Sequence, residues 1–253
     1  MSYFFSFVCL ALSLLLFSCG GGDDNPAATD DPESGSSSSA AVDTAGLLTD
    51  SRDGQVYRKV VIGSQVWMAQ NLNYSGVDSV GDRAYTIGWC YGVGDVDTSD
   101  RSDAESCNTY GRFYRWQEMM GLARSFGSKY WDEEDTLYQG ICPDGWHVPT
   151  GAEWDSLVVT MGGVDAAGEA LKSAENWNGT NTVGFNALPA GIRYVAGAWE
   201  GLGTFAYFWS TEQAYTSSIS TGAYTYYVNE NAAVVTYVHG KFGGASLRCV
   251  QNP

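Results

Sequence analysis

Histidine is almost missing from this chain: its 253 residues contain only His147 and His239. With two imidazoles and no C-x-x-C pair there is no recognisable zinc-ligand spacing, so no metal is assigned. No G-x-S-x-G occurs either, and a serine or cysteine near one of two histidines is easily coincidence. His147, beside Trp146, therefore reads as packed or hydrogen-bonded, and no catalytic residue is assigned. Bases are scarce as well: 13 Lys and Arg stand against 29 acids, for a formal net charge of −16. That balance disfavours nucleic-acid phosphates and anionic membrane surfaces as partners, so no nucleic acid is expected. Nor is there an apolar run of the ~20 residues that a membrane-spanning helix needs.

What is present begins with a shorter apolar run. The first 18 residues, MSYFFSFVCLALSLLLFS, carry no charged side chain and fit the apolar region of a signal peptide, which would remove Cys9 with it. The run ends in Leu16-Phe17-Ser18-Cys19, followed by Gly20-Gly21-Gly22-Asp23-Asp24. It resembles a bacterial lipoprotein signal, which implies that Cys19 becomes the lipidated N-terminus and ties the protein to a membrane. The Gly-Gly-Gly-Asp-Asp stretch resembles surface-export signals, which implies an outer-membrane lipoprotein facing outward. From Gly20 to about Ala45 the chain is rich in Pro, Ser, Asp and Ala and has no aromatic residue. It cannot bury enough surface to order itself. It reads as a tether, with an r.m.s. reach of roughly 30 Å. The expected organisation is a signal peptide over 1–18, a tether over 19–46 and one domain over 47–253. Seven acids and no bases lie between residues 20 and 50, which leaves 22 of the 29 acids against all 13 bases in the rest, a net −9.

With 44% apolar and 14% aromatic residues the chain can bury a core. Its 31 Gly and 16 Tyr suit short strands and turns rather than a helical bundle. Two strand-like runs flank Gly63-Ser64, a dipeptide suited to a two-residue hairpin turn. Phe113, Trp116, Met120 and Ala123 fall at helical spacing, with Gly127 beyond them. Thr150 followed by Glu153 is a capping box, and Trp154, Leu157, Val158 and Met161 form one apolar face that Gly162-Gly163 would end. Glu153 thereby has a structural task. A shorter helical segment covers AAGEALKSA; turns and strands follow it. The class is α+β: an early hairpin, two or three helices, and a β- and loop-rich second half.

Other chemistry finds weak support. Paired carboxylates could hydrolyse glycosides, but no pair stands out. The acidic loop with Asp95, Asp97, Asp100 and Asp103, and the WDEED stretch, have oxygen ligands for calcium but lack the EF-hand spacing, so no cofactor is assigned. Among nine tryptophans, Trp67, Trp116, Trp146, Trp154 and Trp209 read as core. Trp131, Trp177 and Trp199 lie in polar or Gly-rich segments and are either candidate faces for stacking a sugar or loop aromatics folded back over the core. The loops 176–182 and 197–204 combine Trp177 and Trp199 with Asn178, Asn181 and Glu200, which suits sugar hydroxyls.

Several segments resemble one family: DGQVYRKVVIGSQVWMAQNLNY, WCYGVGD leading to CNTYGRFYRWQEMM, GICPDGWHVPTGAEWDSL, GFNALPAGIRY, YFWSTE and SLRCV. Together they resemble the Fibrobacter succinogenes major paralogous domain over about residues 51–251. VPTGAEWDSL with a final LRCV is also similar, more distantly, to formylglycine-generating enzymes and related C-type-lectin-like folds. That resemblance implies a C-type-lectin-like fold without carrying over catalysis, because the copper-binding cysteine pair has no match. The function expected is a non-catalytic ligand-binding or adhesion domain, with a glycan or a surface protein as ligand. The alternatives are a polysaccharide-active hydrolase or formylglycine-generating-type oxidase, and a structural surface component. In an exported protein the four domain cysteines pair, with three connectivities open. The expected pairing is Cys90–Cys107, closing a short acidic loop, and Cys142–Cys249, tying the segment before the capped helix to the last strand.

Overall fold

The computed structural model describes residues 44–80, 83–92, 104–132, 137–215, 221–231 and 234–253. All of them belong to one compact unit, Ala41–Pro253. Cys9, Cys19, the first 43 residues and Asp95, Asp97, Asp100 and Asp103 lie outside the described residues, as does most of the WDEED stretch.

Strand β1 (Thr44–Thr49) pairs antiparallel with β2 (Val56–Ile62), so the folded domain takes in residues 44–46, which composition places in the tether. β2 turns into β3 (Gln65–Met68) with Ile62 opposite Gln65. The two residues between them are Gly63 and Ser64, and Gly63 takes φ 61°, a left-handed conformation that glycine adopts without strain. A separate hairpin joins β4 (Val77–Val80) to β5 (Arg83–Thr86).

Helix α1 (Ala104–Tyr110) follows and was not legible as a helix. Then comes the largest departure from the periodicity reading. Phe113 and Tyr114 form strand β6, α2 (Trp116–Met119) is a single turn, and residues 124–127 are a 3-10 turn. The Phe113 backbone exchanges two hydrogen bonds with Trp89, at 2.9 and 2.8 Å, and Phe113 pairs with Ser246 across the sheet. Long-range pairing overrides the local helical spacing.

β7 (Trp146–His147) leads into α3 (Gly151–Thr160) and α4 (Val164–Leu171). The second half is strands: β8 (Ala190–Arg193), β9 (Trp199–Leu202), β10 (Ala206–Ala214), β11 (Gly222–Val228), β12 (Val234–Gly240), β13 (Ala245–Ser246) and β14 (Val250–Gln251). One sheet runs β1-β2-β3-β14-β7; a second runs β12-β11-β10-β13-β6 and adds β8 beside β10, with β9 paired to β8. The class is α+β and sheet-rich, with four α-helices among the described residues rather than two or three.

Two features close the domain. Val250 in β14 pairs with both Trp67 and His147, inserting the last strand between the early hairpin and the entrance to α3. Beside it, Cys142–Cys249 is a disulfide, and Cys90–Cys107 is the other, as expected. The apolar face of α3 packs on β10 and β11: the Trp154 ring stacks on Tyr226 at 5.3 Å and lies 4.6 Å from Trp67. Its indole N–H donates to the Trp209 carbonyl at 3.4 Å. Trp67, Trp116, Trp146, Trp154 and Trp209 are all buried. A fully buried large side chain contributes about 1.5–3 kcal/mol by leaving water, so these rings account for much of the core's drive.

Candidate functional site

The candidate functional regions are the Trp-His-Glu cluster at α3, the tryptophan loops and a polar recess.

At α3 the Thr150 hydroxyl oxygen accepts from the Glu153 N–H at 3.2 Å, and Glu153 Oε2 accepts from the Thr150 N–H at 2.9 Å. The other carboxylate oxygen meets His147 Nε2 at 2.7 Å, while His147 Nδ1 meets Asn252 Oδ1 at 2.9 Å. Burial opposes the charged imidazole, but acceptors at both nitrogens outweigh it and raise the His147 pKa. Burial pushes Glu153 up, and the bonds from His147 and Thr150 overcome it, leaving its pKa lowered. The cluster is therefore an ion pair that fastens the start of α3 to the C-terminal segment. Both imidazole nitrogens, both carboxylate oxygens and the Thr150 hydroxyl are bonded to neighbours within the fold.

The loop residues are placed as follows. Trp177 is buried, 7% exposed, with the Lys172 ammonium 5.4 Å from its ring. Trp131 is also 7% exposed, packed edge-on against Tyr138 at 4.8 Å. Trp199 is half-buried between Tyr91, at 4.9 Å, and Phe113, at 5.0 Å. The expected platform of paired exposed rings at Trp177 and Trp199 does not form, because each ring is drawn onto its own set of apolar neighbours. Residues 197–204 are not a free loop either: Ile192 pairs with Glu200 across the β8–β9 hairpin, where Glu200 is exposed. Asn178 accepts from the Lys172 ammonium at 3.3 Å. Asn181, at φ 49°, accepts from the Asn186 N–H at 2.8 Å and braces the turn that carries Asn186. Both amides are used within the fold, although Asn178 is exposed and Asn181 half-buried.

A polar recess of about 340 Å³ lies elsewhere. Its walls come from the β2 edge (Gln55, Tyr57, Arg58), the segment after β3 (Gln70, Asn71, Asn73), the end of α1 (Asn108, Thr109, Gly111), and Asn186 with Arg248. Gly111 makes this packing sterically feasible. It sits at φ 73°, and a Cβ there would come within 2.7 Å of the Asn71 side chain. Tyr57 hydroxyl accepts from the Asn73 N–H at 3.1 Å, and Gln55 Nε2 donates to the Asn73 carbonyl at 2.8 Å, fixing that wall.

Arg248 is the recess's most buried polar residue, 1% exposed. Its Nε donates to Asn71 Oδ1 at 2.8 Å, Nη2 to the Asn186 carbonyl at 3.0 Å and Nη1 to the Phe185 carbonyl. Its guanidinium lies 4.1 Å from the Phe185 ring centroid. Burial pushes its pKa down to about 9, and the nearby cation Arg58 adds to the effect. Other buried cations in this fold also rest on rings: Arg115 over Trp89 at 4.1 Å, with Glu118 as its ion-pair partner, and Lys241 over Trp116 at 4.1 Å. Burial pushes Lys241 down to about 8. Arg248 differs from them in that it lines an open recess.

Sequence reasoning missed the recess. Its residues come from segments between 55 and 248 in the chain, and none forms a local motif. The one available signal was an arginine among apolar residues in SLRCV. Among the described residues, no group of three or more His, Cys, Asp and Glu side chains is placed to hold a metal. Residues 60–251 match the family described as the Fibrobacter succinogenes major domain. Neither a curated protein nor a solved structure matches the chain.

Proposed function

The chain belongs to the Fibrobacter succinogenes major domain family, and from that premise we propose that it is an exported, lipid-anchored protein whose domain binds a ligand without transforming it. The observation that carries the reading is the recess. Its polar lining consists of Asn and Gln amides, two guanidinium groups and the hydroxyls of Tyr57 and Thr109, and its one cysteine, Cys107, is tied up in a disulfide. Such groups recognise hydroxyls and anions by hydrogen bonding. They are poor at shuttling protons near neutral pH, which a hydrolase needs. The ligand class that fits is a glycan, held as an adhesion contact.

The rest of the proposal concerns architecture. Cys19 carries the lipid, and the acidic Ser-rich segment holds the domain away from the outer-membrane surface. The domain is C-type-lectin-like, a reading supported by an early hairpin, a capped α3 against the second sheet, and a second half of strands and long loops. Two acyl signals anchor stably where one chain is marginal. The expected outcome is that the protein fractionates with membranes and that Cys19→Ala releases it. On a glycan array the domain should bind without releasing product from polysaccharide. Membrane retention of Cys19→Ala would remove the anchor from the proposal, and turnover of a bound glycan would remove the non-catalytic reading.

A further inference from the structure

The recess narrows the ligand further. Two of its wall residues, Arg58 and Arg248, are cations, and no carboxylate lines it. Around them the domain is acidic, a net −9 beyond residue 50. The ion pairs among the described residues are Arg52 with Asp50, Arg115 with Glu118, and His147 with Glu153; neither recess arginine takes part in one. A buried charge is normally compensated within the fold or by what binds to it. Three of the five N–H groups of Arg248 are used by Asn71, Phe185 and Asn186, leaving two. A second requirement comes from Asn73, whose Oδ1 is buried in the recess wall without a hydrogen-bond partner. A buried acceptor of this kind is satisfied by a donor such as a hydroxyl.

We propose that this recess binds a hydroxylated carboxylate, the sugar-acid unit of an acidic polysaccharide, with Arg58 and Arg248 compensating its carboxylate and Asn73 accepting from a hydroxyl. The inference rests on the ligand-binding reading above and adds the charge class of the ligand. A neutral sugar supplies the hydroxyl but leaves the buried Arg248 cation uncompensated and makes no use of Arg58 at the rim. A bare inorganic anion supplies charge but leaves much of the volume empty, since ligand sites of about 300–1,000 Å³ suit organic molecules. The net acidity of the rest of the domain repels a polyanion outside the recess. Binding is accordingly local, one sugar-acid unit per domain, and gains strength from many copies on one cell surface.

The test is isothermal titration of the domain with a short oligogalacturonate, the matching neutral galactose oligomer and inorganic phosphate, each at low and high salt. Arg248 is unsuitable for substitution because Asn71, Phe185 and Asn186 build it into the core. Arg58 is exposed and Asn73 partly so, which makes Arg58→Gln and Asn73→Ala the variants of choice. The expected result is saturable binding of the oligogalacturonate, weakened by salt and by about tenfold in Arg58→Gln. Asn73→Ala should also weaken it. The neutral oligomer should bind far less. Equal binding of the neutral oligomer, or an Arg58→Gln variant that binds like the parent, overturns the sugar-acid assignment while leaving a ligand-binding domain intact. Phosphate binding as tightly as the oligogalacturonate also overturns it, in favour of a simple anion site. No saturable binding of the oligogalacturonate overturns it outright. Release of new reducing ends would instead count against the non-catalytic reading.

Discussion

His147 and His239 are both buried, at 1% and 2% exposure, yet burial decides only one of them. His239 faces a carbonyl: its Nε2 donates to the Arg193 oxygen at 3.0 Å, and its ring lies 5.4 Å from Trp209. Burial wins there and pushes its pKa down to about 4, against the raising effect of that bond. His147 has acceptors at both nitrogens and is pushed the other way. The two therefore act on stability at opposite ends of the pH scale. A depressed histidine contributes stability above its ordinary value near 6.5, and that contribution is lost as pH falls toward 4, up to about 3 kcal/mol. A raised histidine contributes fully below about 6.5 and loses its share as pH rises through its folded value. Glu153, lowered, contributes above its ordinary value near 4.5 and loses its share as pH falls through its folded value. Urea midpoints measured across pH should show His239→Gln flattening the acid limb and His147→Gln flattening the decline above neutrality. Unchanged slopes in both variants would contradict these assignments.

At the scale of elements, α3 shows how sequence pattern and tertiary packing agree. Thr150 and Glu153 cap it, Trp154, Leu157 and Val158 bury one face, and Gly162 at φ 92° follows its end. The cap is also tied to the C-terminal segment through His147 and Asn252, which local pattern cannot reveal. Thr150→Ala should cost about 1 kcal/mol in chemical denaturation. Glu153→Gln should cost more, because it loses the charge opposite His147 as well as weakening the cap, and it should leave ligand binding unchanged once folding is complete. Loss of binding in a Glu153→Gln variant as stable as the parent would make this carboxylate part of a ligand site. The hairpin at Gly63-Ser64 and α3 were legible because each carries its own turn or capping residues, whereas α4 was legible only in its middle: it runs Val164–Leu171, without a side-chain cap, where the pattern suggested 166–174. The segment from Phe113 to Gly127 was not legible, because its spacing fits a helix while its backbone bonds are claimed by Trp89, Ser246 and Lys241. Propensity is a weak prior when partners far along the chain are available. The same cause hid the recess: Arg58, Asn73, Gly111 and Arg248 meet only after β14 has returned to the early hairpin.

That return is the property of the whole molecule on which the site depends. β14 sits between β3 and β7, so Leu247, Arg248 and Cys249 are carried against residues 68–72. The Leu72 N–H donates to the Leu247 carbonyl at 2.8 Å, and the Met68 N–H to the Cys249 carbonyl at 3.0 Å. The disulfide Cys142–Cys249 spans 107 residues and fixes that closure covalently, whereas Cys90–Cys107 spans 17 and ties α1 to the segment after β5. In the chain-entropy account, closing the longer loop restricts the unfolded chain more, about 5 against about 3 kcal/mol. The double variant Cys142→Ala/Cys249→Ala should therefore lose more stability than Cys90→Ala/Cys107→Ala. Their effects on the recess should run differently. Cys107 lines the recess beside Asn108 and Thr109, so loss of the shorter bridge frees one wall and should weaken binding at a pH and temperature where the domain stays folded. Loss of the longer bridge should leave binding intact wherever the domain remains folded, because the β14 hydrogen bonds still place Arg248. Denaturation midpoints and titrations on the two variants separate these effects. A shorter-bridge variant that binds like the parent would show that the α1 wall is held by Gly111 packing alone, with the disulfide contributing stability and nothing to the site.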